Sequence, residues 1–346
     1  MGPLSGPDEP PGESRVTGRH EDIWVRAAHP SVIGAVRRSA VALATAAGFD
    51  QNRTGQVAVA VTEAVSNLVK HAEDGVVLVR PHGERARVVE LVTVDRGPGI
   101  ADLARALRDG FSTSGTLGIG LGAIARMASA WDVHSMPGRG TVLVTHFTAD
   151  GSPGPPPRVS GIRRPIGEET ICGDSYAVVD TGGVITAVLC DGLGHGAAAA
   201  HASREAVRVF LDDPLAPPVA ALERVHRGLS HTRGGAVAVV RVERETVSYA
   251  GLGNISGWIA HAEGRQGMIS LPGIAGHKSR RPQQYEYALP PHATVVLHSD
   301  GLTDRWDPAS FPGLFARSPA VIGATLLRDA GSRRDDACVV ALRQRP

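Results

Sequence analysis

Four acidic positions in the second half of the chain are placed where they can meet. They are Gly173-Asp174, the run Asp191-Gly192-Leu193-Gly194-His195-Gly196, the run Ser299-Asp300-Gly301-Leu302-Thr303-Asp304, and Asp335-Asp336. Each stands at the end of, or just before, an apolar stretch that reads as a strand, and strand ends far apart in sequence converge on one rim of a sandwich. A single Asp-Gly is ordinary turn chemistry. Four in this arrangement are another matter, because gathered carboxylates repel and are costly to desolvate without a cation. A hard divalent metal that takes only oxygen ligands resolves that cost. No histidine spacing calls for zinc here. His195 is either a group just outside the metal ligands or a polar loop residue.

The first half carries a different set. Glu63, Asn67 and Lys70/His71 share one face of a helix, opposite an apolar stripe of Val57, Val61, Ala64, Val65, Leu68 and Ala72. Taken alone they are a solvated face. A strand ending Val92-Thr93-Val94 then runs into Asp95-Arg96-Gly97-Pro98-Gly99. Glycines there let backbone approach a flat ligand, and the aspartate can accept from an amino group such as that of adenine. Gly115, Gly118, Gly120 and Gly122 follow, leading into a helix. Such a loop presents free N–H groups and a positive dipole end to phosphates.

The elements that must hold these residues alternate in kind. The first half reads strand, helix from Pro30 to Gly48, helix over Gln56–Ala72, strands Val76–Arg80 and Arg87–Val94, helix Ala123–Ala130, and a hairpin of Trp131–Ser135 with Thr141–Phe147. The second half is strand-rich: Ser175–Asp180, Val184–Cys190, Ala236–Val242, Thr246–Ala250, Gly257–Ala260, Tyr285–Leu289, Thr294–His298 and Ala337–Leu342. Helices are expected over Ala197–Leu211, Val219–Leu229 and Ala320–Ala330. Residues 1–20 and 149–160 are rich in Pro and Gly and read as a disordered tail and a short stiff linker.

At 346 residues, and roughly 100–200 residues per domain, the chain is expected to hold two domains, 21–148 and 161–344. Aromatics make up 4% of the chain, so the cores must be built from Val, Leu, Ile and Ala. The net charge is +1, and 34 of the 36 basic residues are arginine. This balance gives no reason to expect nucleic acid or a membrane surface. Three cysteines without paired spacing fit a reducing compartment. No apolar run approaches the ~18 residues of a membrane span, and the first residues lack signal-peptide architecture. The expected location is the cytoplasm.

Residues 21–148 resemble the GHKL ATPase fold in its small anti-sigma-factor kinase and switch-kinase branch. Glu63-Ala-Val-Ser-Asn67-Leu-Val-Lys70-His71 matches that family's N box, Asp95-Arg-Gly97-Pro-Gly99 its first glycine box, and Gly115–Gly122 its second. Gly140-Thr141 matches its late adenine-contacting position. The resemblance implies that ATP is bound with Mg²⁺ on Asn67, that Asp95 holds the adenine, and that Glu63 polarises an attacking hydroxyl. Residues 160–344 resemble the type 2C metal-dependent protein phosphatases, in the compact bacterial SpoIIE-like branch, with Gly253-Asn254 as a further family motif. By that resemblance Asp191 bridges two Mn²⁺ or Mg²⁺ ions, the Gly192 carbonyl is a ligand, and Asp300 and Asp335 hold one metal. Asp174 orients metal-bound water or joins the site, and the adjacent Asp336 competes with Asp335 for the ligand role. Two metals ~3.5–4 Å apart activate a water and stabilise the oxygens of an in-line displacement, with no protein nucleophile.

The resulting fold class is a two-domain α+β chain: a GHKL α/β sandwich followed by a phosphatase β-sandwich flanked by helices. The expected function is a serine/threonine protein phosphatase with an ATP-binding, kinase-like first half. By resemblance its substrate is a phosphorylated STAS-domain antagonist of an anti-sigma factor, or another stress-complex component, with a sigma factor as a further partner. The alternative is a binding module in which the first half sequesters a sigma factor or regulator and the second half is a scaffold. The three aspartates Asp191, Asp300 and Asp335 weigh against a dead scaffold. A sensor histidine kinase would need a phosphoacceptor helix pair that the sequence does not show.

Overall fold

Strand patterning decides the layer order. In Val88–Val94, Val89 and Leu91 point to one face and Val92 and Val94 to the other, and all four are buried. A strand that is apolar on both faces must be covered on both. The computed structural model, which describes residues 15–18, 21–83, 87–107, 120–154, 156–277 and 281–344, shows what covers each side.

Strand β1 (Arg15–Thr17) precedes β2 (Trp24–Arg26). Helices α1 (Ser31–Ala46) and α2 (Gln51–His71) follow, then β3 (Val76–His82) and β4 (Val88–Val94). The short α3 (Leu103–Ala106), α4 (Gly120–Met127), β5 (Ala130–Met136) and β6 (Gly140–Thr148) complete the first half. Its antiparallel sheet runs β2-β3-β4-β6-β5. The helices α1, α2 and α4 cover one face, with a core that includes Val36, Val57, Val61, Val65, Leu91, Ile124 and Phe147. Helix α2 starts earlier than its apolar stripe because the Asp50 carboxylate accepts from Arg53 N at 2.7 Å and caps it.

The second half holds β7 (Val159–Arg164), β8 (Asp174–Asp180), β9 (Val184–Gly192), α5 (Gly196–Leu211) and α6 (Pro218–Gly228). After these come β10 (Gly235–Glu243), β11 (Thr246–Leu252), β12 (Ser256–His261), β13 (Gly264–Met268) and β14 (Ser270–Leu271). The chain ends with β15 (Tyr285–Ala288), β16 (Thr294–His298), α7 (Pro319–Asp329) and β17 (Ala337–Leu342). One sheet runs β1-β8-β9-β10-β11-β14, with β15 on β11, and the other runs β13-β12-β16-β17-β7. Their inner faces share a core of Leu189, Val240, Tyr249, Val295 and Val340 among others. Helices α5 and α6 cover the outer face of the first of these sheets.

Helix α7 covers the outer face of the other, and it also covers the free face of the first half's sheet. Val92, Val94, Val142 and Val144 pack with Ile162, Trp306, Phe311, Val321 and Leu327 in one continuous core. Polar contacts hold both ends of α7. The Asp132 carboxylate on β5 accepts from Ser318 N at 2.6 Å, at the helix N-terminus where negative charge is favoured. At the other end, Arg328 donates to the Asp95 carbonyl at 3.2 Å, and Arg139 reaches Asp329 at 3.3 Å.

The stretches read as tail and linker both contribute strands, and the helix expected over Ala123–Ala130 runs instead over Gly120–Met127, with Ala130 opening β5. Arg15–Thr17, inside the stretch read as a tail, adds a strand to the edge of β8. Strand β7 begins at Val159, inside the stretch read as linker, and pairs along β17. Its sequence, with Gly161 and two arginines, does not advertise a strand. Gly161 is required because the Tyr176 ring lies where a Cβ would stand, 2.2 Å away.

Candidate metal centre and nucleotide pocket

The register of β8 against β9 sets Asp174 directly opposite Asp191. Asp300 follows β16 and Asp335 precedes β17, and these two strands are paired neighbours. The Asp191 and Asp300 carboxyls are close enough that each shifts the proton affinity of the other. Asn254 Nδ2 donates to Asp300 Oδ2 at 2.6 Å, which gives the Gly253-Asn254 motif a place in the centre. Ser299 Oγ donates to Asp174 Oδ2 at 2.6 Å, while Asp174 Oδ1 is buried without a partner.

The electrostatics match the gathering of like charges. Burial first, and then Asp336, Asp300 and Asp335, push the Asp174 carboxyl up to about 8. Burial and the charges of Asp174, Asp300 and Asp335 push Asp191 up to about 9. Asp300 is raised by burial and by Asp335. An orphaned buried carboxylate oxygen amid three other carboxylates is an all-oxygen donor set for a hard divalent cation. The residues present therefore fit the implied ions.

Asp336 does a different job from its neighbour. Its Oδ1 accepts from Ile166 N at 2.8 Å and its Oδ2 from Gly173 N at 2.9 Å, so backbone amides occupy both oxygens. Asp335 retains an oxygen for a cation, since only its Oδ1 accepts, from Asp336 N. Gly192 is tight against α5: a Cβ there would lie 2.1 Å from the Ala199 carbonyl oxygen. His195 Nδ1 pairs with Glu169 at 2.8 Å, and both are exposed. Asp304 turns away to His298 Nε2, at 3.3 Å. Ser299 and Ile166, which hold Asp174 and Asp336, were not singled out by sequence. Ser299 adjoins Asp300, but only the folded sheet shows that it reaches Asp174.

In the first half a cavity of about 500 Å³ is lined by Glu63, Asn67, Lys70, His71, Asp95, Gly99, Gly120 and Thr141, all singled out by sequence. Thr93, Ile100, Leu121, Ile124 and Leu143 are among the other residues of its wall. Thr93 lies two residues before Asp95 and opposite Leu143 across β4 and β6, so strand periodicity could have found it. Burial raises the Asp95 carboxyl, while the Gly97 and Thr141 backbones pull it down. Gly97 N donates to Asp95 Oδ1 at 2.8 Å. Gly99, at φ 70°, sits where a Cβ would meet the Met136 carbonyl oxygen at 2.2 Å. Gly122 faces away from the cavity, against the Leu107 carbonyl. Gly115 and Gly118 lie outside the described residues.

The family model for the histidine kinase-like ATPase domain matches residues 27–146, and that for Stage II sporulation protein E (SpoIIE) matches residues 181–345. Over 97 residues the chain is 31% identical to the serine/threonine-protein kinase RsbT of Bacillus subtilis (strain 168), spanning 28% of this chain and 73% of RsbT. Over 140 residues it is 26% identical to the phosphoserine phosphatase RsbX of the same organism, spanning 39% of this chain and 69% of RsbX. A solved structure from work on the bacterial stressosome, a modular system adapted to control secondary messenger signaling, aligns with a TM-score of 0.50 at 28% identity. It covers 54% of this chain and 98% of its own.

Proposed function

Since the chain belongs to the histidine kinase-like ATPase family and joins that domain to a SpoIIE-type phosphatase domain, we propose that it is a partner-switching regulator whose second half hydrolyses phosphoserine or phosphothreonine in a protein. The observation that carries this reading is the placing of Asp174 opposite Asp191 across β8 and β9, with Asp300 and Asp335 at the ends of the paired strands β16 and β17 and Asp174 Oδ1 left orphaned. Asp191, the Gly192 carbonyl, Asp300 and Asp335 would hold two Mn²⁺ or Mg²⁺ ions, with Asp174 beside them. When bound, such ions supply a nucleophilic water at neutral pH and offset charge on the phosphoryl oxygens. Asn254 holds Asp300 in place, Ser299 holds Asp174, and Asp336 ties the Gly173 turn to the start of β17. A cysteine nucleophile has no support: Cys172, Cys190 and Cys338 are all buried, with thiols raised far above the range of a reactive thiolate.

The first half is proposed to bind ATP, with Asp95 accepting from the adenine amino group, Asn67 holding Mg²⁺ and Lys70 near the phosphates. Glu63 lines the same cavity, where a carboxylate polarising an acceptor hydroxyl would stand. We assign 21–148 and 159–344 as the two functional units, joined by 149–158, with Arg15–Thr17 on the edge of the second unit's sheet. The proposed substrate is a phosphorylated STAS-domain antagonist of the stress-complex type, and the proposed place of action is the cytoplasm. No helix among the described residues is long and apolar enough to cross a membrane. The test is Phos-tag electrophoresis of candidate phosphorylated STAS proteins incubated with the full chain and Mn²⁺. Dephosphorylation that EDTA stops supports the reading. Unchanged phosphoprotein, together with no p-nitrophenyl phosphate turnover, overturns it.

A further inference from the structure

On the α7-facing side of the first half's sheet, strand register gathers a group that neither proposed activity uses. Glu90 on β4 lies opposite Arg80 on β3 and opposite His146 on β6. His82 is two residues beyond Arg80 and so shares its face. Glu90 is fully buried, and its two oxygens are committed differently. Arg80 Nε donates to Oε2 at 2.6 Å. Oε1 faces both imidazoles, with His146 Nε2 at 2.9 Å and His82 Nδ1 at 3.6 Å. The two rings stack with centroids 5.1 Å apart, and the three candidate donor atoms lie within 4.8 Å of one another.

We propose that His82, Glu90 and His146 form a binding site for a divalent transition metal of the zinc type, built where the two halves meet. Zinc bonds of about 2.0–2.1 Å put tetrahedral donors about 3.3 Å apart. The separations of 2.9 and 3.6 Å from Glu90 Oε1 bracket that value. Two imidazoles and one carboxylate suit zinc chemistry, and unlike the all-oxygen centre of the second half they do not favour magnesium. Arg80 fixes the carboxylate from behind, as outer hydrogen bonds do around bound metals. The His82 side chain keeps 17% exposure, while Glu90 is fully buried.

The location gives the site a purpose. Arg80 also donates to Asp22 at 2.7 Å and to the Gly161 carbonyl at 3.0 Å, and Asp22 Oδ2 accepts from Arg163 N at 2.9 Å. An ion on Glu90 therefore stiffens the carboxylate from which this chain of contacts crosses into β7 of the second half.

The test uses the full chain carrying Asp191→Asn and Asp300→Asn, which removes the all-oxygen centre as a competing zinc site. Zn²⁺ is titrated against a chromophoric chelator, and retained metal is counted by mass spectrometry after gel filtration. One Zn²⁺ per chain is expected. Losing an outer partner of a metal ligand costs about 10–100-fold in affinity, so His82→Gln, which loses a ligand itself, is expected to cost at least as much, and His146→Ala likewise. Co²⁺ should give a visible absorption band that vanishes in both variants. If His146→Ala fails to fold, His82→Gln, at the more exposed position, still decides. Equal Zn²⁺ retention with and without His82, or no retention in the parent chain, overturns the proposal.

Discussion

The two halves put aspartates to opposite uses. In the second half, burial and the charges of neighbouring carboxylates raise Asp174, Asp191 and Asp300, the last of these through Asp335. In the nucleotide pocket, Asp95 is raised by burial alone and is steadied by the backbones of Gly97 and Thr141. The first arrangement demands a cation, whereas the second offers one acceptor to a neutral donor. The same side chain thus reads as a metal ligand or a base-recognition group according to what surrounds it.

The largest expected effect comes from breaking the first arrangement alone. Asp191→Ala or Asp300→Asn should lower Mn²⁺-dependent p-nitrophenyl phosphate turnover by about 10³-fold or more, since both water activation and charge stabilisation go with the metal. ATP affinity measured by calorimetry should stay the same. A matching fall in ATP affinity would mean that the two sites are not separate.

The converse change should be smaller. Asp95→Asn replaces a pure acceptor with a mixed group and should weaken ATP binding by about 1–3 kcal/mol, the cost of a mispaired buried polar group. Phosphatase turnover on the small ester should be unaffected. Asn67→Ala should instead blunt the magnesium dependence of ATP binding. Equal affinity in all three forms would remove the pocket as drawn.

Proton linkage sharpens the contrast further. Asp174 and Asp191 have folded carboxyls raised to about 8 and about 9, against about 4 in an unfolded chain. The metal-free folded state therefore holds more protons than the unfolded one between those limits, and its stability falls as pH rises from about 4 to about 9. Thermal melts in EDTA should show this decline. Mn²⁺ should flatten it, and its binding near pH 7 should release protons detectable by calorimetry in buffers of different ionisation heat.

The smallest effect is expected from cutting the chain at Gly154. A stiff linker by itself would make the cut a separation, and a partner docked on one half would then be lost to the other. The shared core around Val92, Val144, Val321 and Leu327 instead predicts that the two fragments stay associated on gel filtration. Small-ester turnover and KM for a phosphoprotein should both stay close to those of the intact chain. Fragments that elute apart would show that the linker alone joins the halves.

Residues whose neighbours in sequence share their task were legible before any coordinates. The Asp-x-Gly-x-Gly turn, the Glu63–Asn67 face and the aspartates at strand ends each carry their reason locally, in a turn, a helical period or a strand boundary. What stayed hidden depends on register. Asp335 and Asp336 are adjacent, and only the amides of Ile166 and Gly173 distinguish them. His82, Glu90 and His146 are separated by loops whose lengths say nothing about which residues face one another. Strand β7 was missed because Arg163 and Gly161 satisfy a partner sheet and a tyrosine ring, not a local propensity.

Helix α7 has an evolutionary consequence. Every residue from Pro319 to Arg328 is buried, because sheets of both halves close over it. In a phosphatase that stands alone, one side of the equivalent helix would meet water, and an apolar side of that size would invite aggregation. Free-standing relatives should therefore carry polar residues where this helix meets Val142 and Val144. Because those positions are apolar in this chain, the fusion is hard to reverse: excising either gene segment would leave a protein with an uncovered face. Drift at Val321 or Leu327 is answerable to two sheets at once, so substitutions there should be matched by compensating changes on β4 and β6 sooner than by changes elsewhere in the second half.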